Sequence, residues 1–236
     1  MENTGYITIT RQSGLAREMQ VVANNIANAA TTGFRAEGVI FSEYIQPVAR
    51  GASLSMGQGN VRNTSFEQGG LTQTGGTFDF AIEGDGYFLV QTPAGERLTR
   101  SGAFTPNAEG ELVTNDGNRV LDAGGTPLFV PPGANIAVSG DGTLSVDGTP
   151  FGQVALVQPN DAMDMIREDG VMFRADAGYV PAESARMLQG FIENSNVNAI
   201  GQLARMIEVQ RAYEMGQKFL EREDERVRTA MKALMT

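Results

Sequence analysis

The sequence predicts a mixed α and β fold in which an N-terminal and a C-terminal helix pair as a coiled coil and bracket a central all-β domain of short strands. Three observations predict it. Apolar residues recur at alternating spacings of three and four near both ends of the 236-residue chain. The middle breaks into short apolar runs separated by Gly, Asn and Asp. Charge is partitioned in the same way. Residues 71–180 hold fifteen acidic against five basic side chains, whereas residues 1–70 carry five of each and residues 181–236 eight of each. The whole net charge of -10 therefore lies in the middle. Neutral ends are suited to packing closely against like chains while an acidic middle faces water.

The N-terminal segment, 1–34, contains the stretch "VVANNIANAATTGF" from Val21 to Phe34. At 100° per residue, Leu15, Met19, Val22 and Ile26 form one apolar seam, a short heptad signature. Ala16, Ala23, Ala27 and Ala30 occupy a second flank, small enough for another backbone to approach, and Asn24 and Asn28 a third. No charge falls between Met19 and Phe34. A surface helix normally shows water a charged face, and a membrane helix cannot hold Asn24, Asn25 and Asn28 without partners, so these faces are expected to meet protein. An Ala-rich core helix of an ordinary bundle accounts for the same residues. Gly33, after Thr31 and Thr32, is expected to end the helix in a left-handed conformation.

Residues 35–76 read as an extended connector rich in Gly, Ser, Thr and Asn, with "FSEYIQPV" and "NVRNTSF" as weak strands; Val39, Ile40, Phe41 and Ile45 argue against a flexible linker. Residues 77–180 form the central β domain. "FDFAI" alternates Phe78, Phe80 and Ile82 with Asp79 and Ala81, and "YFLVQT", "RLT", "ELVT", "RVL", "PLFV", "TLSV" and "QVALVQ" follow at short intervals. Between them "EGDG", "PAGE", "NAEG", "NDGN", "AGG", "SGDG" and "VDG" supply residues that tolerate the positive φ of hairpin turns.

The C-terminal segment, 181–236, holds the longer seam: Met206, Val209, Tyr213, Gly216, Leu220, Glu223, Val227, Ala230 and Leu234 step by three and four through four heptads, with only Gly216 and Glu223 breaking the apolar rule. A helix from about Asn198 to Met235 would extend ~57 Å at 1.5 Å per residue, longer than a small domain needs. Gly201 and Gly216 each cost roughly 1 kcal/mol relative to Ala, so its stability is expected to depend on neighbours. A long helix lying over its own β domain is the alternative reading.

Composition removes several functions. There is no His and no Cys, so Ser-His and Cys-His nucleophiles, His-containing zinc sites and disulfides are excluded. A sequence pI near 4.6 argues against nucleic acid and anionic membrane surfaces as partners. No run approaches the ~18 apolar residues of a membrane helix, so no membrane insertion is expected, and the opening "MENTGYITITRQSG" lacks the pattern of a cleaved signal peptide. Asp79, Glu83 and Asp85 are near one another and could be read as glycosidase carboxylates, but Asp85 in "GDG", Asp116 in "NDG" and Asp141 in "GDG" have turn roles, and no tryptophan is present to line a sugar cleft. "GQGNVRN" lacks the Gly-Lys-Ser/Thr ending of a phosphate loop. No cofactor and no enzymatic activity are expected. A self-contained acidic binding module whose helices form a private stalk, and a carbohydrate-active enzyme, stand as alternatives from other classes.

Three motifs in order resemble the flagellar rod and hook family: "VVANNIANAATTGFRAE" resembles its N-terminal signature, "TFDFAIEGDGYFLVQTPAGERLTRSGAFTPNAEGELVTNDGNRVL" the start of its β domain, and "NSNVNAIGQLARMIEVQRAYEMGQK" its C-terminal helix. The chain is too short for the hook protein, and its β block is absent from the smallest proximal-rod members, so the resemblance is to the larger rod proteins. The ending "FLEREDERVRTAMKALMT" departs from their pattern. The resemblance implies a structural, torque-transmitting subunit of the basal-body rod that spans the periplasm. It also implies export unfolded through the flagellar type III apparatus without cleavage, and partners among proximal and distal rod proteins and copies of itself. The terminal helices would order on assembly. The expected assembly interface comprises Leu15, Met19, Val22, Asn24, Asn25, Ile26, Asn28, Met206, Val209, Tyr213, Leu220, Val227 and Leu234.

Overall fold

The computed structural model describes residues 2–46 and 54–234. Helix α1 spans Glu2–Ala27 and helix α2 spans Ala199–Leu234. Among the described residues between them lie eighteen strands, paired antiparallel throughout their ladders. By contacts the chain divides into a helical unit (Met1–Ala29, Ala36–Ser65, Val197–Thr236) and a β unit (Ala30–Arg35, Phe66–Asn196). No helix among the described residues is long and apolar enough to cross a membrane.

In the helical unit, α1 packs on α2 and on a hairpin of β1 (Glu37–Gln46) and β2 (Leu54–Thr64). The connector therefore carries a regular ladder from Glu37 opposite Thr64 to Gln46 opposite Leu54, with one register shift between Ile40 and Phe41. That bulge leaves two consecutive apolar side chains, Ile40 and Phe41, exposed. Pro47 and Val48 of "FSEYIQPV" lie outside the described residues, as does Met235 at the expected end of the long helix. Helix α2 is 36 residues long, ~54 Å at 1.5 Å per residue. It starts at a capping asparagine, whose Asn198 Oδ1 accepts from the Gly201 N–H at 3.0 Å.

One sequence expectation is corrected here. Gly33 does not end α1: the helix stops at Ala27, and Gly33 follows six residues later. Its φ of +71° is left-handed as expected, but the demand for glycine is steric as well, because a Cβ there would lie 2.3 Å from the Ser101 nitrogen.

The β unit is built on a twisted antiparallel sheet ordered Met165–Asp169, Met172–Ala175, Gly95–Thr99, Tyr87–Thr92, Arg119–Val120, Leu112–Thr114 and Phe104–Pro106. In "YFLV" all four side chains are buried, because both faces of that central strand are covered. Phe88 and Val90 enter one apolar cluster, Tyr87 and Leu89 the other. The first cluster centres on Phe80, Phe88 and Phe104, with the Phe88 and Phe104 rings edge-on at 5.2 Å between centroids. "PLFV" forms isolated bridges, Leu121 with Pro127 and Glu111 with Phe129, instead of a strand. Two pairings complete the unit beyond Val180: Arg186–Gln189 with Phe80–Glu83, and Phe191–Glu193 with Leu71–Gln73.

Candidate assembly interface

The two seams read from the sequence lie on the sides of α1 and α2 that approach each other. On α1, Leu15 and Val22 are buried and Met19 and Ile26 half-buried; on α2, Val209 is buried and Met206, Tyr213 and Leu220 half-buried. Val227 and Leu234, in the same phase, are exposed, Leu234 at 87%. Thus the structure brings the first eight of the apolar candidates toward the helix pair and leaves the last two open.

Polar contacts between the helices set their direction. Gln12 Nε2 donates to the Tyr213 carbonyl at 2.9 Å, Glu18 Oε1 takes two donors from Arg205 at 2.6 and 2.7 Å, and Asn25 Nδ2 reaches Gln202 Oε1 at 3.3 Å. As residue number rises along α1 it falls along α2, so the helices are antiparallel. Hydrogen bonding to Glu18 pushes the Arg205 guanidinium further above the ordinary arginine range.

The asparagines divide. Asn25 is fully buried, with its Nδ2 donating to the Glu37 carbonyl at 2.7 Å and its Oδ1 accepting from the Glu37 N–H at 3.0 Å. Its carboxamide thereby acts as a one-residue strand on the edge of β1, the part of a ladder that would otherwise present unpaired backbone. Asn24 is exposed and Asn28 half-buried; Asn28 Nδ2 donates to the Asn24 carbonyl at 2.9 Å and to Asn24 Oδ1 at 3.1 Å. Together with Gln20, Ala23 and Ala27 they leave an open flank of α1 with no charge.

Sequence reasoning missed Gln12, Glu18, Gln202 and Arg205. For two of them a signal existed. Gln12 stands three residues before Leu15 and Gln202 four before Met206, so both continue the seams in phase, and only their polarity sets them apart from the apolar pattern. Gly216, which broke the apolar rule, lies against the same contact: a Cβ there would lie 2.6 Å from Gln12 Nε2, so a larger residue would displace the Gln12 carboxamide from its present position.

Helix α2 also carries apolar side chains that nothing among the described residues covers. Ile200 (82% exposed), Leu203 and Ile207 share a face opposite the seam, Met215 and Phe219 follow, and Val227, Met231 and Leu234 lie toward its end. On α1, Ile9 is likewise exposed. Ile7, Leu15, Met215 and Phe219 line an open groove between the helices with Gly216 in its floor.

The sequence that builds this interface is similar to proteins of known kind. Residues 6–35 match the family described as "Flagella basal body rod protein", residues 81–146 the "Flagellar hook protein FlgE/F/G D1 domain", and residues 188–233 the "Flagellar basal body rod FlgEFG protein C-terminal". The chain is 39% identical to the flagellar basal-body rod protein FlgF of Caulobacter vibrioides, over 99% of this chain and 98% of the relative. The chain belongs to the flagellar basal-body rod family. It is also 36% identical to FlgF of Mesorhizobium japonicum, over 91% of this chain and 90% of the relative. To the rod protein FlgG of Bacillus subtilis it is 31% identical, over 93% and 94%. Within this family the first matched region, 6–35, runs from the groove-lining turn of α1 through Asn24, Asn25 and Asn28 to Arg35, and the last contains nearly all of α2.

Proposed function

We propose that this chain is a structural subunit of the bacterial flagellar basal-body rod, self-assembling through its terminal helices to transmit torque, with no catalytic role and no cofactor. The observation that carries this reading is the apolar surface of α2: eight large apolar side chains stay exposed on one helix while Val209 alone is buried. Isolated exposed apolar residues are ordinary, but faces repeated along a helix mark protein contact. Greater similarity to relatives named FlgF than to those named FlgG supports the place of the former, with FlgG as the alternative.

In this reading the seams of α1 and α2 act as a coiled coil, and Leu15, Met19, Val22, Ile26, Met206, Val209, Tyr213 and Leu220 hold the pair. Asn24, Asn28, Val227 and Leu234 meet neighbouring subunits, which are copies of this chain and proximal and distal rod proteins. Of the segments 1–34, 35–76, 77–180 and 181–236, the helices of the two terminal ones assemble, the hairpin of the connector braces them, and the acidic middle, joined by residues 66–76 and 181–196, faces outward. The subunit passes through the flagellar export apparatus without cleavage and acts where the rod spans the periplasm.

The test is deletion of the chain from its motile host followed by complementation. Loss of swimming, with basal bodies that lack a completed rod by electron microscopy and recover it on complementation, is expected. Complete rods in the deletion strain would overturn the proposal.

A further inference from the structure

The chain passes between its two units after residues 29, 35, 65 and 196. Inside the β unit, the three segments next to those crossings are stitched together. The Asn196 N–H donates to the Phe34 carbonyl at 3.2 Å, Asn196 Nδ2 to the Glu67 carbonyl at 2.8 Å, and the Asn194 N–H to the Gly70 carbonyl at 2.9 Å. One side chain touches all three segments. Glu193 Oε1 accepts from the Gly69 N–H at 3.1 Å and lies 2.9 Å from Arg35 Nη2, while the Glu193 carbonyl accepts from the Gly33 N–H at 2.8 Å. Its Oε2 is 3.6 Å from Arg100 Nε. Glu193 and Arg35 are each 1% exposed.

The two arginines are held differently. Arg100 is anchored to the sheet through the carbonyls of Ile82 at 3.3 Å and Gly84 at 2.7 Å, and stacks 5.4 Å from the centre of the Tyr87 ring. The guanidinium of Arg35 makes no such hydrogen bonds among the described residues and depends on its ionic contact with Glu193. Its backbone is fixed from the other side, where Arg167 donates to the Arg35 carbonyl at 2.5 Å and stacks on Phe34 and Phe173 at 4.6 and 4.7 Å. Neutralising Glu193 would leave two like charges buried together, and Arg35, the less anchored, is the one that must leave.

We propose that Glu193 is a positioning residue that locks the entry and exit points of the helical arms onto the β unit, so that force enters that unit through a fixed joint. The joint is a property of the free chain; its mechanical consequence rests on the rod-subunit reading. A buried ion pair is weak evidence for net stability, and fixed geometry is the contribution assigned to this one.

The test uses the purified full-length chain. In the wild type, trypsin should cut after exposed arginines of α2 while sparing Arg35. Glu193→Gln, which keeps an acceptor for Gly69, should raise the initial cleavage rate after Arg35 at least tenfold and speed amide exchange at Gly33 and Gly69 by a similar factor. Arg35→Gln supplies the independent readout: exchange at Gly69, a group Arg35 does not touch, should also rise, because Glu193 loses a partner that holds it. Wild-type rates at Arg35, Gly33 and Gly69 in Glu193→Gln would overturn the joint. A uniform rise throughout the β unit would also overturn it, making Glu193 an ordinary core residue. If the joint loosens but cells carrying Glu193→Gln swim at wild-type speed under viscous load, the mechanical role falls while the rod-subunit reading stands; that reading fails only if deleting the chain leaves complete rods.

Discussion

Replacing Asn25 with leucine separates the one structural asparagine of α1 from its neighbours. The side chains are of similar size, so the substitution removes hydrogen bonds with little change in volume. Two backbone groups of Glu37, its N–H and its carbonyl, lose partners at 3.0 and 2.7 Å inside a site where Asn25 is fully buried. Leaving a buried donor or acceptor unsatisfied costs about 1–3 kcal/mol. Two such groups, with part of the loss offset by burying an apolar side chain, give a net destabilisation of roughly 2–4 kcal/mol. In a unit of this size each 1 kcal/mol moves the midpoint by about 4–8 °C, so the transition should fall by at least ~8 °C. Both helices belong to the helical unit, so thermal unfolding followed by ellipticity at 222 nm reads the right transition. Asn24→Leu is the control, because Asn24 is exposed and its change should stay within ~0.5 kcal/mol. Midpoints for Asn25→Leu and Asn24→Leu within 2–3 °C of each other, on the order of the control's own effect, would refute the strand-edge role of Asn25.

Asn24→Leu with Asn28→Leu removes the hydrogen bonds between two polar side chains of the open flank, and rod completion in cells should fail; normal basal bodies and swimming would make that flank a merely solvated one. Leu220→Asp places a charge in the half-buried seam and should abolish motility without shifting the stability of the β unit, followed by amide exchange at Phe88 and Val90; a matching rise in exchange there would sink the separation of roles. Asp122 gives a pH dependence. Burial pushes its carboxyl up, but hydrogen bonds from the Thr126 N–H and hydroxyl and from Gly124 and Gly125 outweigh that and hold it below the usual aspartate range. A depressed folded value means that its stabilisation is present above the unfolded pKa, ~3.9, and is lost as pH falls through the folded one. Urea midpoints should therefore decline in acid in the wild type and decline less in Asp122→Asn; parallel curves would refute the assignment.

Where the sequence was legible, the information was local. Seams on α1 and α2 depend on residues three and four apart, and any straight helix turns those residues to one side whatever lies opposite. Strands such as "YFLVQT" and "TLSV" are flanked by glycines that adopt positive φ, including Gly84, Gly95, Gly142 and Gly148, so the turn chemistry announces them. The hairpin of β1 and β2 was weaker in the sequence because its glycines and threonines carry little alternation; packing on α1 supplies the order that its composition does not.

By itself, the sequence determined the helix–β–helix order, the phase of both seams, the acidic middle and the family. Tertiary structure decided which polar residues those seams would hold. Asn24, Asn25 and Asn28 are chemically identical, and only the arrival of the β1 edge beside Asn25 makes that one structural. Gln12 finds its place because Gly216, 204 positions along the chain, leaves room for it. Arg35 finds Glu193 because strand pairing with Leu71–Gln73 brings the latter beside the segment that follows α1. Periodicity specifies a direction from one backbone, whereas a hydrogen bond or ion pair needs two groups within about 3 Å of each other, and that proximity exists only once distant segments have packed.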